Sequence, residues 1–255
     1  MSTLVDWRKP ESLETLNAGL EHGLAVIADI SNNNRLDAWH AKVLFGLLQT
    51  GLHALRNLCR GWNEHEVSLM AWSARNALEL ELWVEYVTAS QENAYRFHLD
   101  WLNDTAEILS KSIETEKADE LRRHMEGISS PPSFPYPDMD FGGHTVKDAE
   151  AFLAKHRAQN PSLSRKYLRI REIAKILGKE ETFNNMSSLF SKHIHPTAYS
   201  VLSFPSDRLR LNLSTIMLEN GCLSLIRALG AVDQYLWDKG LPRIFSSPDD
   251  GTKTP

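Results

Sequence analysis

Apolar residues along this chain recur mostly at spacings of three and four, the repeat of one helix face. Leu13, Leu16, Leu20, Leu24, Ile27 and Ile30 predict a first helix, and Asn32, Asn33 and Asn34 end it because asparagine tolerates left-handed geometry. A second helix is predicted from about Leu36 to Arg60, with Leu44, Leu48, Leu52, Leu55 and Cys59 inward and Gly61 closing it. Asn63 followed by Glu66 reads as a capping pair that opens a third helix, to about Thr88. A fourth runs from about Glu92 to Glu126 and turns heavily charged beyond Lys111.

The texture then changes. Residues 129–144 hold Pro131, Pro132, Pro135, Pro137, Gly142 and Gly143, which predicts a loop. Short helices are expected at about 146–158 and 162–177, with Gly178 as a stop. Another starts near Glu180 and ends by His195, because Pro196 disfavours helical geometry in the residue before it. Ser203 to Asn212 has room for a short extended piece around Pro205, and a last helix covers about Ser214 to Asp238 before Gly240 and Pro242. Strand-like alternation is nearly absent. The expected fold is all-α: one bundle of about seven to eight helices over residues 1–245, followed by a disordered tail at 246–255.

Composition narrows the function classes. The chain has 255 residues, 42% hydrophobic and 24% charged, close to the soluble globular average, and a net charge of −5. That excludes a uniformly basic nucleic-acid coat. Two cysteines cannot build a four-thiolate zinc site and point to no oxidising compartment. Asp6, Arg8, Lys9 and Glu11 occupy the place where a leader would carry its apolar core, and no segment reaches about 18 uninterrupted apolar residues. A cytoplasmic protein without membrane contact is the expectation.

The net charge hides an asymmetry. Residues 155–179 carry eight lysines and arginines against one acid, Glu172, so +7 sits there and −12 on the rest. Tyr167, Ile170, Ile173, Ala174 and Leu177 form an apolar stripe beneath this basic face. Arg165, Lys166, Arg169 and Lys175 are therefore candidate contacts to RNA or to an acidic protein partner. The competing reading is a solvated face that offsets the acidic fourth helix, within the protomer or across a homodimer.

Two segments carry the candidate chemistry. On a helical wheel of the third helix, Glu81 and Glu85 fall on the expected solvent side. Arg75 and Glu79, four apart, share a stripe with Trp72, Leu78, Leu82, Trp83 and Tyr86. An ion pair among aromatics predicts at least partial burial, which serves either an anion-binding site or a structural lock on helix register. The second segment is Ser191 to Pro196. Ser191 and His195 are four apart on a small-polar stripe, and the helix C-terminus favours a protonated His195. His195 reads as a proton carrier, a phosphate contact or a C-capping residue. His193 projects elsewhere, and His-x-His on a helix is a poor metal motif.

No Walker loop, dinucleotide turn, zinc helix or nucleophile elbow occurs, and a di-iron bundle lacks its paired Glu-x-x-His motifs. Asp37 and His40 have a related spacing, read as a surface cap and an amphipathic histidine. No cofactor and no metal is expected. Five of the seven tryptophans lie between Trp39 and Trp101, at spacings that predict core or interface.

Arg75-Asn76-Ala77-Leu78-Glu79 followed by Ser191 to Pro196 resembles a group of poorly characterised prokaryotic all-helical proteins, in which an Arg-x3-Glu helix pairs with a late Ser-x-x-x-His-Pro motif. More distantly it is similar to abortive-infection and HEPN-like helical families. The resemblance covers about a third of the chain. It implies a site at Arg75, Glu79, Ser191 and His195 and names no substrate. The HEPN spacing itself, Arg four to six residues before His, is met by Arg35–His40 and Arg60–His65, about the number chance produces. Two functions follow as alternatives. One is a defence-related bundle that cleaves RNA phosphodiesters or binds an anion through the Arg/Glu/Ser/His cluster. The other is a non-enzymatic interaction or regulatory protein in which the cluster is a structural ion-pair network.

Overall fold

The computed structural model describes residues 5–98, 100, 168–194 and 207–245. The 129–144 loop, the 146–158 helix, most of the fourth helix and the 246–255 tail lie outside the described residues. Within them are seven helices and no strand, an all-α multi-helix bundle. Helix α1 spans Pro10–Asn32, α2 Ala38–Glu64 and α3 Val67–Ala89. Helical residues 91–98 form α4, α5 is Ile170–Ile176, α6 Glu180–Ile194 and α7 Asp207–Asp238.

Helix α1 starts as its sequence dictates, with Pro10 in the first turn where a missing N–H costs nothing. It ends where the asparagines stand. Asn33 Nδ2 donates to the Asp29 carbonyl at 2.9 Å, and Asn34 takes a left-handed φ of 53°. Its apolar face (Leu16, Leu20, Leu24, Ile27, Ile30) is buried against α2, as are Leu44, Leu48, Leu52 and Leu55 of α2.

Gly61 does not close α2. The helix runs on to Glu64 and stops at His65, in left-handed geometry with φ 57°. Gly61 serves packing instead: a Cβ there would lie 2.7 Å from Met70 Cγ at the start of α3. Asn63 is consequently inside α2 and caps nothing, and α3 begins at Val67 after Glu66. Proximity of the two helix ends outranks the local capping signal. Ser90 caps α4, its Oγ accepting from Asn93 N at 3.1 Å.

Helix α3 is central, in contact with α2, α5, α6 and α7. Gly221 lets α7 lie close to α2 and α3: a Cβ there would meet Leu58 Cδ1 at 2.5 Å and the Ala74 Cα at 3.4 Å. Helix α7 starts earlier than expected: 207–212 are helical, so no extended piece occurs in that part of 203–212. It ends at Gly240, φ 65°, with Leu241 N donating to the Leu236 carbonyl at 2.9 Å. Asp233 then fastens the chain beyond it, accepting from Arg243 Nη2 at 2.6 Å, Ile244 N at 2.7 Å and Phe245 N at 3.1 Å. Within α7, Arg208–Asp238 is long and apolar enough to cross a membrane by length and composition, and half of its most apolar window is buried in the bundle.

Candidate functional site

The structure brings three of the four predicted site residues together. Arg75 Nε donates to Glu79 Oε1 at 2.9 Å along α3, and Arg75 Nη1 reaches across to α6, donating to Ser191 Oγ at 3.0 Å. Ser191 Oγ in turn donates to the Ser187 carbonyl one turn earlier, at 2.7 Å. His195 lies outside the described residues. His193, on the last turn of α6, is half-buried, and burial pulls its imidazole below the ordinary histidine range.

The stripe expected to face the core does so at Leu82 and Tyr86, 1% and 2% exposed, and the Arg75–Glu79 pair on it is part-buried. The Arg75 and Glu79 side chains keep 32% and 27% of their exposure and Trp72 keeps 47%, so this edge of the helix meets solvent. The deeply buried carboxylate is Glu81, 2% exposed, on the side assigned to solvent. Its Oε1 receives Lys179 Nζ at 2.7 Å and lies 3.6 Å from Arg227 Nη1 of α7. Lys179 also donates to Glu85 Oε1 at 2.5 Å. Glu81 Oε2 is buried with no hydrogen-bond partner. Burial draws the Lys179 ammonium down, but its hydrogen bonds to Glu81 and Glu85 carry it above the ordinary lysine range.

A wheel assumes one wet side. Helix α3 is packed from several, and Glu81 sits among Leu80, Leu82 and Val84, all buried. That apolar flanking is the sequence signal that marked Glu81. Lys179, ninety-eight residues away, had none beyond following Gly178, whose φ of 69° turns the chain between α5 and α6.

The basic segment divides. Arg169 and Lys175 are exposed, whereas Lys179 is spent on the internal ion pairs and Arg171 Nε donates to Asn184 Oδ1 at 3.0 Å. Arg165 and Lys166 lie outside the described residues. Beneath the face, Ile173 and Ala174 are fully buried, as the apolar stripe requires.

His40 is a buried residue rather than an amphipathic surface one. It is 1% exposed, with Nδ1 3.2 Å from the Tyr235 hydroxyl, and burial lowers it to about 4. Asp37 makes no side-chain cap; it accepts instead from Gln91 Nε2 at 3.1 Å. Cys59 and Cys222 are free thiols, both pushed up by burial. Among the described residues no group of three or more His, Cys, Asp or Glu is placed to hold a metal. A groove of about 390 Å³, lined by Val5, Trp7, Ile226, Leu229 and Phe245, opens between α1 and α7, away from the Arg75 cluster.

Compared with family models, with curated proteins and with solved structures, the chain matches none.

Proposed function

We propose that this chain is a non-enzymatic helical interaction protein, in which Arg75, Glu79 and Ser191 hold α3 and α6 in register. The observation that supports the reading is that the described members of the cluster are bonded to one another across the two helices. Arg75 spends one donor on Glu79 and one on Ser191, and the Ser191 proton goes to a backbone carbonyl. A nucleophile or proton shuttle needs a group free to exchange its proton with substrate. The Ser191 hydroxyl is committed on both sides. The second charged network, around Glu81, likewise joins α3 to Lys179 and α7.

The test sets stability against activity. Arg75→Ala removes two charge-assisted hydrogen bonds at a part-exposed position, so a loss of about 1–2 kcal/mol is expected. In a domain of this size that is a Tm lower by roughly 2–8 °C. The same protein is assayed for cleavage of single-stranded RNA beside Arg75→Ala and His195→Ala. Cleavage by the wild-type chain that both variants abolish, with Tm unchanged in Arg75→Ala, overturns the reading in favour of the RNA-cleaving alternative.

A further inference from the structure

The outer face of α7 carries an apolar stripe on a seven-residue repeat. Leu209, Ile216, Leu223 and Trp237 are 40%, 38%, 41% and 55% exposed, Gly230 completes the repeat, and Ile226 (38%) broadens it. Residues seven apart return to one side of the helix every two turns, so these side chains line a single strip of the surface, widest at its centre where Leu223 and Ile226 lie side by side. We propose that this face is a self-association surface and that its occupant is α7 of a second copy, antiparallel, about a two-fold axis at Leu223. The inference rests on the interaction-protein reading and names its partner.

Charge complementarity selects that occupant. In an isologous contact each residue faces its mirror position across the axis. Glu219 and Arg227 lie four residues either side of Leu223, both exposed; Arg227 stands 3.6 Å from Glu81 of its own protomer but keeps 58% of its side-chain exposure, so each Glu219 faces the other copy's Arg227 twice over. Arg208 and Asp238 are fifteen residues either side, and Asn212 faces Gln234, which within its own protomer donates to Asp238 Oδ1 at 2.7 Å and keeps its carbonyl for Asn212. Bulk is matched as well: Ile216 faces Gly230, large against small, and Leu209 faces Trp237.

Charges of both signs within the stripe disfavour a lipid surface, which would leave Glu219 and Asp238 in hydrocarbon. The groove between α1 and α7 is continuous with the stripe through Ile226, and extends the apolar contact toward Val5 and Phe245.

Leu223 is the position that distinguishes this geometry. Helix axes pack about 8–10 Å apart, and subtracting two Cα radii of about 2.3 Å leaves about 3.5–5.5 Å between the facing Leu223 Cα atoms. That overlaps the disulfide range of about 4.4–6.8 Å. Ile216 and its own twin stand fourteen residues apart along the axis, about 21 Å. The full chain at micromolar concentration is expected to sediment at twice its 28.9 kDa mass. Leu223→Cys should cross-link to itself on mild oxidation, while the wild type and Ile216→Cys do not. Leu223→Lys, an exposed change that leaves the fold intact by circular dichroism, should weaken the dimer by about tenfold or more. A monomer at tens of micromolar, association only with anionic lipid vesicles, equal cross-linking at Ile216→Cys, or a dimer indifferent to Leu223→Lys each overturns the proposal. None of these results bears on the Arg75 stability test, so failure here and failure of the interaction-protein reading remain distinguishable.

Discussion

The buried ion pair between Glu81 and Lys179 makes an asymmetric demand on the two partners. Glu81 is 2% exposed and Lys179 33%. Lys179→Met therefore strands a buried carboxylate whose remaining cation, Arg227, is 3.6 Å away and itself 58% exposed. It also leaves Glu81 and Glu85, one turn apart, to repel each other. Breaking a buried pair from one side costs about 3–5 kcal/mol, and the residual Arg227 contact places this case near about 3 kcal/mol. Glu81→Gln keeps the shape and removes the charge, while Lys179, one-third exposed, retains Glu85, so about 1 kcal/mol is expected. Replacing both, as Glu81→Gln with Lys179→Met, leaves no buried charge without its partner and should cost only about 1–2 kcal/mol relative to wild type. The assay is equilibrium unfolding in urea, read as a change of midpoint at constant slope. A coupling of about 2–3 kcal/mol in the double-mutant cycle is the expected result. If Lys179→Met costs less than Glu81→Gln, or the two changes simply add, Glu81 is not held by Lys179 in the folded chain.

Two further outcomes follow from the core. His40 is buried neutral, with a folded value of about 4 against an ordinary 6.5, so its unfolded form takes up a proton first on acidification. Stability should be complete above about pH 6.5 and fall toward pH 4 by up to about 3 kcal/mol, and His40→Phe should flatten that part of the urea-midpoint profile relative to wild type. Gly221→Ala forces Leu58, fully buried, to move away from the new methyl group. A loss of about 1–2 kcal/mol by thermal or urea unfolding is expected, and a neutral or stabilised variant would show that α2, α3 and α7 meet less closely there.

The sequence by itself determined the helical class and most helix ends. Periodicity of three and four is local information, and so are the stops at Asn33–Asn34, Gly178 and Gly240, each tied to a backbone geometry its residue type favours. The Arg75–Glu79 contact was legible for the same reason: residues four apart on a helix meet whatever surrounds them. Ser191 was legible as a small polar position. Its partnership with Arg75, 116 residues away, was decided by how α6 lies on α3.

Tertiary structure alone decided which charges are buried. A wheel gives relative directions around α3 but not how many neighbours the helix has, and α3 is packed by four. The carboxylate on the supposed wet side thus became the buried one, and the pair on the supposed core side kept a third of its exposure. The same limit applied at Gly61, where contact with Met70 overruled a local stop signal. Helix formation is settled within a few residues of chain. Burial of charge is settled by elements brought together from distant parts of it.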